Sequence, residues 1–147
     1  GIVYYKLTPS YLIVQWDSVG YYSEWYDKVN TFQMIITDGT DSLVPDGNNV
    51  SFCYKDMQWT TGDASNGING FGGEPATVGA NKGDGVNYIQ FGRFDQQGNA
   101  FDGAFGNPDG IDWLDNQSFV FSTCNATNIP PIVTGFSICQ ADTVKIC

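Results

Sequence analysis

The 147-residue chain is 41% hydrophobic, enough for one sizeable core, and lacks any apolar run near the roughly 20 residues that a membrane-spanning helix needs. Six Lys and Arg stand against 16 Asp and Glu, a formal charge of -10 that repels phosphate backbones and anionic lipid. Nucleic acid and direct membrane insertion are excluded as expected partners.

Period-two alternation begins at Leu12, Val14 and Trp16, set against Tyr11, Ile13 and Gln15. It returns at Phe32, Met34 and Ile36, set against Thr31, Gln33 and Ile35. Asp17-Ser18-Val19-Gly20 closes the first run, and Asp38-Gly39-Thr40-Asp41 closes the second. Between them lies an aromatic run, Tyr21-Tyr22-Ser23-Glu24-Trp25-Tyr26, which suits either a sugar- or protein-contacting surface or edge packing. Further strands are expected at Phe52 to Trp59, Val86 to Phe91, Ser118 to Thr123, Ile132 to Ile138 and Thr143 to Ile146. No window carries an apolar 3.6-residue repeat with caps. The expected fold is all-β, an antiparallel two-sheet sandwich with long Gly/Asp-rich loops and at most short helical turns.

Two long loops interrupt the strands. Gly62 to Gly85 holds eight of the 18 glycines, yet Lys82-Gly83-Asp84 lacks the Gly-Lys-Ser/Thr of a phosphate loop, and Asp63, Glu74 and Asp84 oppose an anion. The passage from Asp95 to Asp115 sets Asp102, Asn107, Asp109, Asp112 and Asp115 on one flexible segment, the hard oxygen donors that calcium requires, although Phe105 breaks the helix-loop-helix pattern. Catalysis has little to draw on. With no histidine there is no Ser-His or Cys-His pair, which leaves a carboxylate hydrolase built on Asp63 with Glu74, or on Asp109, Asp112 and Asp115, as the enzymatic alternative. Asp beside Gly is also ordinary turn chemistry.

Cys53, Cys124, Cys139 and Cys147 have no C-x-x-C spacing, so disulfides are expected, with Cys53–Cys124 and Cys139–Cys147 favoured among three pairings. Asn49, Asn116 and Asn125 head glycosylation sequons. Together these features point to a secreted, extracellular or cell-surface chain, with any leader removed or lying upstream of Gly1. Asn128-Ile129-Pro130-Pro131 reads as a stiff connector. Residues 1–127 are therefore expected as the domain, and 128–147 as its final hairpin or the start of a following module.

Several blocks then carry a resemblance in order and spacing. They are Val19-Gly20-Tyr21-Tyr22, Asn30-Thr31-Phe32-Gln33, Thr37-Asp38-Gly39, Gln58-Trp59-Thr60-Thr61-Gly62-Asp63-Ala64-Ser65, Gly70-Phe71-Gly72-Gly73-Glu74-Pro75-Ala76, and Gly79-Ala80-Asn81-Lys82-Gly83-Asp84-Gly85. Over about Leu12 to Phe91 the chain resembles the NIDO domain, the extracellular module of nidogens, α-tectorin and mucin-4. The resemblance implies a noncatalytic module of matrix or cell-surface proteins associated with cell adhesion, and the expected role is contact with an extracellular protein, a glycan or copies of itself, or that of a structural unit. It supplies no binding residue. It also implies that the glycines are a framework feature, letting a long loop pack over the sheet beside Trp59 and Phe71.

Overall fold

A computed structural model of the chain describes residues 1–45, 48–81, 83–100 and 110–121. Seven strands form two antiparallel sheets. Five of them, β1 (Ile2–Leu7), β2 (Tyr11–Val19), β3 (Asn30–Thr37), β4 (Val50–Met57) and β7 (Ser118–Phe121), lie in the order β1-β2-β3-β4-β7. The other two, β5 (Thr77–Asn81) and β6 (Tyr88–Arg93), form a hairpin that supplies the second layer. Two 3-10 turns, Asp63–Ser65 and Ile111–Leu114, lie in the connections between strands. The expected all-β architecture is therefore what the chain adopts.

Register assigns the faces of the large sheet. Tyr5 pairs with Val14, Val14 with Met34, Met34 with Phe52 and Phe52 with Phe119, so these five share one face. Lys6, Ile13, Ile35, Ser51 and Val120 share the other. On the first face, Tyr54, Phe119 and Phe121 are buried with Phe94, Ile111 and Leu114, and the β5–β6 hairpin packs Val78, Ala80, Ile89 and Phe91 against them. Aromatic contacts dominate this layer. Phe91 stacks on Phe119 at 4.0 Å between ring centroids, and Phe52 meets Phe121 edge-on at 5.8 Å. Each such ring removes a large apolar area from water, which stabilises the fold by about 1.5–3 kcal/mol per fully buried side chain. On the opposite face Ile13, Ile35 and Val120 are buried with Val44. The first face loses its cover toward β1, where Val3, Tyr5 and Leu7 are exposed.

Two strand ends differ from the sequence expectation for identifiable reasons. The strand expected to reach Trp59 stops at Met57, because Asn30 Oδ1 accepts the backbone N–H groups of Gln58 (2.7 Å) and Trp59 (3.1 Å). The strand expected from Val86 starts at Tyr88, because the Asp84 carboxylate captures the N–H groups of Val86 (3.0 Å) and Asn87 (2.8 Å) in a turn. β1 and β5 lie in segments where alternation indicates no strand. The strands expected at Ile132 to Ile138 and Thr143 to Ile146, residues Thr123, Cys124, Cys139 and Cys147, and the boundary at 127/128 lie outside the described residues.

Candidate functional site

The β2–β3 connection carries the aromatic run, and its path is set by backbone contacts. Gly20 follows β2, and a Cβ there would collide with the Trp25 carbonyl oxygen, so this close approach requires glycine. Trp25 N–H donates to the Tyr21 carbonyl at 3.0 Å, folding the loop back on itself. Tyr21 points inward and is only 4% exposed, with its ring 5.8 Å from Trp59 and 6.3 Å from Trp25. Tyr22, Trp25 and Tyr26 stay in solvent, Tyr26 at 86% exposure. Of the four aromatic residues in the run, one is thus core and three are surface.

The glycine passage docks against this loop. Thr60 and Thr61 both donate their N–H groups to the Gly70 carbonyl, at 2.8 and 3.0 Å, which folds the passage back over Trp59. Gly70 itself has φ +89° and would place a Cβ 3.0 Å from Trp59 Cβ. Phe71 packs into the aromatic core, and Gly72 N–H donates to the Asp95 carbonyl at 3.0 Å. Two bonds then join the passage to the aromatic loop: Asp63 N–H donates to the Tyr22 carbonyl at 2.9 Å, and Trp25 Nε1–H donates to Asp63 Oδ2 at 2.9 Å. The expectation that the passage packs beside Trp59 and Phe71 holds.

Where loop and passage meet they enclose a cleft of about 330 Å³, lined by Tyr21, Trp25, Asp27, Asp63, Ile68 and Asn69 together with Gly67. Tyr21 OH donates to Asp27 Oδ1 at 2.8 Å, and Lys28 Nζ donates to Asp27 Oδ2 at 2.8 Å. Lys28 first and Tyr21 second hold the Asp27 carboxyl below its ordinary range. Burial, then the hydrogen bond to Asp27 and the charges of Asp27 and Asp63, raise the Tyr21 phenol.

A second cavity, about 390 Å³, opens between the two layers beside Trp16, Val19, Trp59 and Thr77. Its walls are apolar, and its buried amide is engaged: besides accepting twice through Oδ1, Asn30 donates Nδ2–H to the Trp59 carbonyl at 2.9 Å. This space belongs to the core.

Of the residues singled out in the sequence, a part lies within the described structure. Asp112 lies within the second 3-10 turn and Asp115 follows it, and Asp115 Oδ1 accepts the Met57 N–H at 2.9 Å. Asp102, Asn107 and Asp109 lie outside the described residues, and among the described residues no three acidic or sulfur side chains gather as a metal cluster. Asn49 is 4% exposed, whereas Asn116 is exposed at φ +61°. Cys53 sits in β4; Asn125 and the other three cysteines lie outside the described residues. The cleft itself was missed as a unit, although both of its halves were visible as motifs.

A glycine-framed, two-layer β domain with an aromatic connection between β2 and β3 is thus the class defined by the coordinates. The family model of the nidogen-like domain, NIDO, matches residues 6–102, about two thirds of the sequence, and the chain belongs to that family. Alpha-tectorin of Gallus gallus is 40% identical over 81 residues, which is 52% of this chain and 4% of that protein. The chain therefore spans a small part of this relative's length. No solved structure matches.

Proposed function

We propose that this domain is a noncatalytic contact module of an extracellular or cell-surface adhesive or matrix protein, acting through protein or glycan contacts. Membership of the nidogen-like family and the similarity to alpha-tectorin support the setting. The observation that carries the contact role is the aromatic group Tyr22, Trp25 and Tyr26, held in solvent by a loop that is hydrogen-bonded into the glycine framework. Large exposed aromatics on a rigid support are what recognition surfaces use, since they bury area at low entropic cost. The test is binding of the full chain to a panel of purified matrix glycoproteins and glycans, alongside a Trp25→Ala, Tyr26→Ala variant and a panel of glycoside and ester substrates. Binding lost in the variant at unchanged Tm supports the reading. Turnover abolished by neutralising a carboxylate would replace it with a hydrolase.

Calcium-dependent glycan recognition through Asp102, Asn107, Asp109, Asp112 and Asp115 is the second reading. One observation favours it: Asp95 Oδ1 is buried without a hydrogen-bond partner among the described residues. The segment carrying Asp95 runs along the start of the second 3-10 turn, where Gln96 and Gly98 carbonyls accept the Ile111 and Asp112 N–H groups at 3.0 and 2.8 Å. A cation would relieve such an oxygen. Calorimetric titration with calcium decides it, and absence of both heat and thermal shift ends it.

A further inference from the structure

We propose that the cleft between the β2–β3 loop and the glycine passage receives a lysine or arginine side chain presented by a partner protein. This deepens the contact-module reading and rests on it. The argument begins with which polar groups the cleft leaves open. Its lining donors are engaged on carboxylates: Tyr21 OH on Asp27 Oδ1 and Trp25 Nε1–H on Asp63 Oδ2. The amide of Asn69 is the remaining lining donor. On the acceptor side, Asp63 Oδ1 makes no hydrogen bond among the described residues and sits on an exposed residue at the cleft edge. A sugar hydroxyl both donates and accepts, so it would meet few donors here. An ammonium or guanidinium only donates, and that matches an acceptor-rich wall.

The aromatic wall makes the same selection. Trp25 is half exposed and stacks at 23° on the buried Tyr21 ring, which backs the indole. Indole is the best of the aromatic side chains at attracting a cation. Donating its N–H to a carboxylate pushes electron density into the ring and strengthens that attraction. A cation over Trp25 can therefore pair with Asp63 at the same time, ring below and carboxylate beside it. Ile68, a lining residue that is 77% exposed, forms a rim that a partner's surface would cover, excluding water from the pair. The formal charge of -10 steers a basic surface toward the site.

The test uses the full chain with Nα-acetyl-argininamide, a short glycine-serine peptide bearing one arginine, and its citrulline counterpart, which keeps the shape and loses the charge. Binding is read from the Trp25 indole NH resonance and by calorimetry. The arginine probes are expected to shift that resonance and the citrulline peptide to leave it. Asp63→Asn is expected to weaken the arginine peptide about tenfold. Ile68→Lys, at a lining position whose side chain is largely in solvent, places a competing cation at the cleft and is expected to weaken binding similarly, while Asp84→Asn, outside the cleft lining, leaves it unchanged. Equal affinity for the citrulline peptide, indifference to both cleft variants, or a neutral oligosaccharide bound at the same resonance each overturns the proposal. Loss of all binding to the matrix panel by the unmodified chain would instead strike the contact-module reading. Panel binding that survives Asp63→Asn and Ile68→Lys would remove only this site.

Discussion

Asn30 grips the backbone of Trp59 from both sides, accepting its N–H at 3.1 Å and donating to its carbonyl at 2.9 Å from a side chain that is itself buried. This clamp stands where β4 ends and the glycine passage begins, so it decides where strand becomes loop. Asn30→Ala leaves the N–H groups of Gln58 and Trp59 and one carbonyl without their partner. The expected loss is about 2–4 kcal/mol, read as a fall in the urea midpoint at constant slope. Asn30→Asp keeps the acceptor but turns an oxygen toward the Trp59 carbonyl. It is expected to rescue only part of that loss.

Gly73 has φ +59°, and a Cβ at that position would meet the Ser65 carbonyl oxygen and, at 2.5 Å, that of Asn66. Gly72, at φ +70°, has open space around it. Gly73→Val is therefore expected to cost about 3 kcal/mol or more, from backbone strain and collision together, and Gly72→Val about 1–2 kcal/mol from strain alone. Equilibrium denaturation of the pair checks both the direction and the ordering. Unchanged midpoints would contradict a framework role for these glycines.

Asp115 supplies one useful bond from an awkward place. Burial raises its carboxyl above the ordinary value, the Met57 N–H opposes that shift, and the charges of Asp56 and Asp112 add to it. A folded-state value above the unfolded one means that its contribution to stability is fully present at low pH and is lost as pH rises through the folded value. Asp115→Asn keeps the oxygen that accepts from Met57 and removes the charge. It is expected to leave stability at pH 7 unchanged or slightly raised and to flatten that dependence. Asp115→Ala removes the acceptor and is expected to cost about 1–2 kcal/mol, measured by thermal unfolding across pH.

Asp84 titrates in the opposite sense. The Asn87 side chain (2.6 Å), then the backbone N–H groups of Asn87 and Val86, lower its carboxyl to about 2. Its contribution is present above the unfolded value near 3.8 and is lost as pH falls through about 2. The carboxyl carbon resonance of Asp84 is expected to show that midpoint, and the amides of Val86 and Asn87 to keep their native shifts down to it.

Burial also divides the sequons. In a glycosylating host the expected product carries glycan at Asn116, whose side chain faces solvent, and none at Asn49, which the fold encloses. Mass spectrometry of tryptic glycopeptides reads this directly.

Alternation made β2, β3 and β4 legible, while β6 and β7 stood out by their β-branched and aromatic residues, and β7 is buried on both faces. β1 escaped because Ile2-Val3-Tyr4-Tyr5-Lys6-Leu7 is apolar on both faces, and a strand without contrast gives no period. β5 escaped because Thr77–Asn81 is short and carries Gly79 where the ladder shifts register between Val78 and Gly79. At the site, composition exposed the aromatic run and the glycine passage separately. Their junction was hidden, since nothing in either string says that the Trp25 indole will find Asp63, 38 positions further along the chain. Long-range pairing is a property of the whole fold, and local pattern does not encode it.

The placement of β7 beside β4 has a consequence for synthesis. Phe52 and Tyr54 gain their partner Phe119 only after β5, β6 and both 3-10 turns have been made. A nascent chain halted before Ser118 would present those rings to the ribosome surface and to chaperones, and the large sheet would close late, as a single cooperative event.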